Sequence, residues 1–235
     1  MTYLEWPRRV AALGQFHVDR LESPELGRDD DHHLRRVLRA SDGEEIVVTN
    51  GRGSWALCRV GPEEIERVSD VGLDPAMPET TLYLTPLKGD RAEWTVAKAT
   101  EVGVSRIVPL VSQRMVAKFK GEARDKTLTR WRRISEESAA QSRRTYDVVI
   151  GEPVKVVDVP ASVAVADFAG TGDWSDVRSV AIGPEGGWTS DEWDTGRRHV
   201  GLGPTVLRAE TAGVVAATLM AFAAGGWGFT LARGK

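Results

Sequence analysis

The chain has 235 residues, of which 41% are hydrophobic and 28% charged, with a formal net charge of −3. That length can bury a core in one large or two modest domains, and the composition is that of an ordinary globular protein. The composition excludes a disulfide framework, because Cys58 is the single cysteine, and a membrane span, because the apolar run at 214–224 is too short. The four histidines show no metal-ligand spacing, and Met1–Trp6 lacks a signal-peptide layout, so a cytoplasmic protein with no metal and no membrane partner is expected.

Residues 1–73 read as a small β-rich unit. A strand is expected within 8–16 and a short helix at 30–38, with Leu34, Val37 and Leu38 on one side. Two apolar runs, 45–49 and 55–60, flank Asn50-Gly51-Arg52-Gly53, a strong hairpin signal because Asn and Gly tolerate positive φ. Cys58 lies inside the second run as a small core hydrophobe. Arg35, Arg36 and Arg39 cluster on the helix, either as a solvated face or as phosphate contacts. The prolines and glycine of 72–78 then interrupt regular structure, which places a linker at 74–80.

From residue 81 the pattern changes to alternating strands and helices, which implies an α/β domain with a mostly parallel sheet through residue 235. Strands are expected at 81–84, 106–111, 148–150, 162–166 and 179–182. Helices are expected at 91–102, N-capped by Asp90 and ended by Gly103, and at 126–142, with Leu128, Trp131, Ile134 and Ser138 along one face. Thr189 with Glu192 reads as a capping box for a helix at 190–199. The last helix, 210–224, is rich in Ala and Gly and suits very close packing. The net charge also divides unevenly: −6 for residues 1–85, +7 for 86–145 and −4 for 146–235. A basic island of this kind is either a solvated helix face or a phosphate-binding surface.

Two short stretches draw the site to the C-terminal third: Ile182-Gly183-Pro184-Glu185-Gly186-Gly187-Trp188 and Leu207-Arg208-Ala209-Glu210-Thr211-Ala212. Each follows an apolar run and leads toward a helical segment, so each reads as a loop at the C-terminal end of a strand, where open α/β sheets bind ligands. The glycines let backbone approach a ligand with no Cβ in the way. A phosphate loop, a zinc cluster and a nucleophile elbow are all missing from the sequence.

These residues carry a resemblance. The two stretches resemble the signature of the RsmE family, the small-subunit ribosomal RNA uridine-N3 methyltransferases of the SPOUT superfamily. Further matching pieces are Lys88-Gly89-Asp90-Arg91, residues 98–104, Gln141-Ser142-Arg143-Arg144 and His33-Leu34-Arg35-Arg36-Val37-Leu38-Arg39. Asp147-Val148 stands where the family usually has Val-Pro, and Trp188 where Phe or Leu is commoner.

The resemblance implies a trefoil-knotted α/β domain preceded by a PUA-like β-barrel that helps hold RNA. It implies an S-adenosylmethionine cofactor contacted by three loops: Asp167, Phe168 and Ala169; Ile182, Gly183, Pro184, Glu185, Gly186 and Gly187; and Leu202, Gly203, Leu207 and Arg208, with Thr211 beyond. The reaction it implies is methyl transfer to a uridine N3, with Arg144 and Arg208 as candidates for stabilising the developing anion and Glu185 or Glu101 for taking the proton. The expected partners are 16S ribosomal RNA or the small subunit, and a second copy of the chain. Arg35, Arg36, Arg39, Arg114, Lys118, Lys120, Arg132 and Arg143 are the expected RNA contacts. A non-catalytic RNA-binding or ribosome-assembly protein, or a methyltransferase of the same superfamily acting on another RNA, is the alternative. Intact glycine loops favour the enzyme.

Overall fold

A computed structural model describes residues 5–115, 119–193 and 196–225. The chain divides into two compact units, one of residues 1–76 with 137–147 and the other of 77–136 with 148–235.

In the first unit, α1 (Trp6–Ala11) precedes β1 (Gln15–His17), and α2 (Arg28–His32) runs into a π-helical turn at His33–Val37. The strands β2 (Glu45–Thr49), β3 (Ser54–Val60), β4 (Ile65–Arg67) and β5 (Gly72–Leu73) complete the sheet. Its order is β1-β2-β3-β4, with β5 also on β3; β1 pairs with β2 in parallel and the other pairs are antiparallel. The β2–β3 hairpin is buried on both faces, Ile46, Val48, Ala56 and Cys58 packing to one core and Val47, Trp55 and Leu57 to another. Burial pushes the Cys58 thiol up to about 12, so it stays protonated and unreactive.

The hairpin turn is shaped by what docks on it. Asn50 Oδ1 accepts from the Arg52 N–H at 2.9 Å, and Gly51 and Gly53 have φ of +70° and +91°. A Cβ at Gly51 would lie 2.0 Å from Asp147, and one at Gly53 2.2 Å from Tyr146. The turn therefore lies flush against the segment that follows the long helix, and Arg52 forms a β-bridge with Tyr146. Two expectations fail here. The predicted strand at 8–16 starts as helix, through Ala11, because Pro7 opens a helical turn, and the strand begins only at Gln15. Val37 is exposed while Leu38 packs on the core; the i→i+5 bond from Leu38 N to His33 O rotates the face by one residue.

Residue 74 falls in the expected linker yet is a core residue. Asp74 accepts two bonds from the Arg9 guanidinium at 2.7 and 2.9 Å, one from Trp55 Nε1 at 3.1 Å and one from Thr145 Oγ1 at 2.8 Å. Arg9 is 0% and Asp74 3% exposed, and the guanidinium stacks 4.4 Å over the Trp55 ring. This buried ion pair ties α1, β3 and the 143–147 segment together.

In the second unit, β6 (Thr81–Leu84), β7 (Arg106–Val111), β8 (Val149–Ile150), β9 (Val154–Lys155), β10 (Ala164–Thr171), β11 (Ser179–Ile182) and β12 (His199–Val200) alternate with α3 (Arg91–Glu101), α4 (Glu122–Gln141) and α5 (Ala209–Ala223). The sheet is parallel throughout, in the order β12-β10-β11-β6-β7-β8, with β9 also on β7. The core is Leu82, Leu84, Val96, Ile107, Leu128, Trp131, Val180, Ile182 and the small residues of α5. The final residues of α4, 137–141, group with the first unit.

Gly103, at φ +104°, follows α3 as expected, but the Asp90 side chain makes no capping bond. The expected helix at 190–199 does not form among the described residues. The Glu192 carboxylate does accept the Thr189 N–H at 2.8 Å as in a capping box, but its other oxygen accepts the Gln113 N–H at 2.7 Å. That second bond holds the segment to the loop after β7, and His199–Val200 becomes an edge strand instead.

Candidate active site at the strand ends

A cavity of about 700 Å³ opens between β10 and the C-terminal end of β11, within the size range of small-molecule sites. Its walls come from Ala166, Asp167 and Phe168 where β10 is interrupted, from Ile182 at the end of β11 and the loop that follows it, from the segment that leads into α5, and from Arg91 at the start of α3. Of the cofactor residues expected from the sequence, Asp167, Phe168, Ile182, Gly183, Pro184, Glu185, Gly187, Leu202, Gly203, Leu207 and Arg208 line it. Ala169, Gly186 and Thr211 do not. A Cβ at Gly186 would point to Arg114, 3.6 Å away, rather than into the cavity.

The glycines have distinct physical tasks. Gly187 and Gly203 take φ of +69° and +127°, and a Cβ at either would project into open space. At Gly183 a Cβ would stand 2.9 Å from the Trp188 indole, so this glycine seats Trp188, which meets Trp193 edge to face at 5.0 Å. At Gly170 a Cβ would stand 2.4 Å from the Val200 carbonyl carbon. Here β10 shifts register against β12, since Ala166 and Thr171 both pair with Val200. Residues 167–170 thus form a bulge beside the site, a common way to re-aim side chains.

Three charged groups meet on the α3–α5 side. Arg91 Nη1 pairs with Glu185 Oε1, and Arg91 Nε lies 3.9 Å from Glu210 Oε1. Glu210 Oε2 is buried and has no hydrogen-bond partner among the described residues. On the β10 side the Asp167 carboxylate accepts the Ala169 N–H at 3.2 Å and lies 2.9 Å from His199 Nδ1. The Ala169 N–H, then the His199 contact, hold Asp167 below the usual carboxylate range against the opposing effect of partial burial. Phe168 and Val206 stand 68% and 83% exposed at the rim.

Of the four candidate catalytic residues, Arg208 and Glu185 line the cavity. Glu101 is on α3 in a two-bond pair with Lys98 at 2.7 and 2.9 Å, away from the cavity wall. Arg144 belongs to the first unit, where its Nε donates to Tyr146 O at 2.6 Å and its carbonyl accepts from Gln15. Arg91, Glu210 and His199 were absent from the expected site. Arg91 and Glu210 both sat in matching motifs, whereas His199 carried no signal because its segment read as helical.

The expected RNA contacts differ in exposure and pairing. Arg36, Arg39 and Lys120 are exposed. Arg35 is bound to Asp31 and to the carbonyls of Gly61 and Pro62, Arg114 to Gly186 O, and Arg132 to Glu152. Arg143 is half-buried with its guanidinium on Ala12 O; burial, then the Arg9 charge, push it below its ordinary value. Lys118 lies outside the described residues. No cluster of metal-ligating side chains occurs among the described residues, and no helix among them is long and apolar enough to cross a membrane.

A family model described as RNA methyltransferase domain matches residues 75–221, and one described as RNA methyltransferase PUA domain matches 26–66. The chain is 32% identical over 233 residues to the ribosomal RNA small subunit methyltransferase E of Mycobacterium bovis, covering 86% of this chain and 88% of that one. Among solved structures, a Legionella pneumophila protein with bound SAM superposes with a TM-score of 0.77 at 25% identity, covering 89% of this chain and 97% of that one. The Neisseria gonorrhoeae ribosomal RNA small subunit methyltransferase E superposes at 0.75 and 24% identity, covering 88% and 96%. The chain belongs to the RNA methyltransferase family, alongside relatives named ribosomal RNA small subunit methyltransferase E.

Proposed function

We propose that this chain methylates the N3 of a uridine in small-subunit ribosomal RNA with S-adenosylmethionine as donor. The observation behind this reading is the cavity at the ends of the parallel strands, built by the three loops of a family methyltransferase domain. Its chemistry fits the cofactor. Ala166, Ile182, Leu202 and Leu207 offer apolar walls for a purine and a thioether chain, while Asp167, Glu185 and Glu210 offer acceptors for hydroxyl and ammonium groups. Gly187 and Gly203, at positive φ, shape the loop backbone beside the cavity.

When bound, the cofactor supplies a methyl group activated on a sulfonium. The chain's own task is to hold the uracil N3 in line with that group and to manage the N3 proton. We assign Glu185 to accept that proton on its carboxylate, with Arg91 fixing its orientation, and Arg208 to stabilise negative charge on the uracil oxygens. Support for both comes from their positions on the cavity wall.

Further parts of the reading concern architecture and partners. A trefoil knot is supported by the strand order: the chain leaves edge strand β12 and returns through 201–208 to pack α5 over β6 and β11. A PUA-like barrel from residues 1–73, ahead of a methyltransferase domain from 81, is supported by the hairpin buried on both faces. A homodimer is supported by the half-exposed apolar side of α5 at Val214, Val215 and Phe222 and by Trp94, 47% exposed on α3. Arg36, Arg39 and Lys120 are the exposed cations assigned to RNA phosphates, and the buried free thiol suits a cytoplasmic protein. Calorimetric titration with S-adenosylmethionine tests the cofactor assignment: saturable binding to one site per chain is expected, and absence of binding would overturn it.

A further inference from the structure

The Asp167–His199 pair stands apart from the charged cluster at α3 and α5. It lies on the β10 side of the cavity, where the bulge at 167–170 turns Asp167 and Phe168 onto the wall. In the parallel register Val165 pairs with His199, so His199 and Asp167 are diagonal neighbours on one face of the sheet. An ionised carboxylate only accepts hydrogen bonds, so at 2.9 Å from Asp167 Oδ2 the His199 Nδ1 bears the proton. With the Ala169 N–H on Oδ1 at 3.2 Å, each oxygen of Asp167 is held by an internal donor. A carboxylate has about four lone-pair sites, so each oxygen keeps capacity for a ligand while its plane is fixed. The side chain of Asp167 is 38% and that of His199 35% exposed.

We infer that Asp167 accepts a hydrogen bond from the ribose hydroxyls of a bound nucleoside, and that His199 is the positioning residue that fixes Asp167 for it. The inference rests on the reading of the cavity as a cofactor site and deepens it. A fixed anionic acceptor beside an exposed aromatic ring, Phe168, matches a nucleoside in both parts: the hydroxyls donate to the carboxylate and the base covers the ring. The same use of an acidic side chain at a strand end for ribose hydroxyls recurs in other α/β folds. His199 serves this arrangement without touching the ligand, since its ring lies on edge strand β12 and its Nδ1–H is directed at Asp167.

The test is calorimetric and needs no turnover. S-adenosylhomocysteine and its analogue lacking both ribose hydroxyls are titrated into the full chain and into Asp167→Ala, His199→Leu and His199→Asn. The wild-type protein should favour the hydroxylated ligand by roughly ten- to a hundredfold, as expected for a hydrogen bond to a charged group. Asp167→Ala should abolish that preference, and His199→Leu should remove most of it. His199→Asn, whose amide N–H can stand in for Nδ1–H, should retain it. Equal wild-type affinity for both ligands, or full preference in His199→Leu, overturns the inference while leaving the cofactor site in place. A wild-type protein that binds neither S-adenosylhomocysteine nor S-adenosylmethionine overturns the functional reading and this inference together.

Discussion

Gly213 of α5 faces Thr95 of α3 so closely that a Cβ at position 213 would stand 2.5 Å from Thr95 Cγ2. The close approach of the two helices reaches the site. One turn nearer the N-terminus of each helix, Arg91 and Glu210 meet at the cavity wall, and Thr95 Oγ1 reaches the Glu210 carbonyl at 3.4 Å. The small residues of α5 thus set the spacing of the charged groups at the cavity.

Gly213→Val should therefore act on both stability and binding. Overpacking a tight helix contact costs about 1–3 kcal/mol. Denaturant unfolding should show that loss, and calorimetry a weaker cofactor affinity. An unchanged midpoint would mean the helices separate freely.

The glycines of the Gly183–Gly187 loop should separate by task. Gly186→Ala meets only ordinary contact with Arg114 and should keep cofactor affinity near wild type. Gly183→Ala presses a methyl group to 2.9 Å from the Trp188 ring and should weaken binding. Equal effects, measured by calorimetry, would show that the two positions face the same neighbour.

Removing Asp74 should leave Arg9 charged and buried without its carboxylate. Asp74→Ala is expected to cost about 3–5 kcal/mol in urea unfolding, while replacing both partners by apolar residues should cost less. A loss below about 1 kcal/mol, the level of an exposed ion pair, would contradict the fully buried geometry.

Glu192 gives a sign for pH. Burial raises its pKa, but the Thr189 and Gln113 backbone donors outweigh that and hold it below the ordinary 4.5. A depressed folded value means stability that is present above the unfolded pKa and lost as pH falls through the folded one. The wild type should therefore lose more stability than Glu192→Gln between about pH 5 and pH 3, read as the difference in their thermal midpoints. Parallel curves would show that the carboxylate charge is not engaged.

What the sequence made legible was local. The hairpin at 50–53, β6, β7, β11, α3 and α5 each announce themselves in a window of a few residues, and so do the loops at 182–188 and 207–212. What stayed hidden depends on partners distant in the chain. Arg9 and Asp74 are 65 residues apart, so nothing near either marks it as buried. The capping-box pattern at Thr189 and Glu192 is genuine, but the bond from Gln113 overrides the helix it would start. His199 was missed with it, because a two-residue edge strand has no periodicity to detect.

RNA binding has its own signature. Replacing Arg36 and Lys120 together should flatten the salt dependence of RNA binding by a log–log slope of roughly 0.7–0.9 for each phosphate they neutralise, with cofactor affinity unchanged. A wild-type slope in the double variant would remove both residues from the RNA surface.

The most direct test is nucleoside mass spectrometry of small-subunit ribosomal RNA incubated with the protein and isotopically methyl-labelled S-adenosylmethionine. Labelled N3-methyluridine at a single position is the predicted product, and it should fall sharply in Glu185→Gln and Arg208→Ala. Label in another nucleoside, or no transfer to free ribosomal RNA or to the small subunit, would contradict the account.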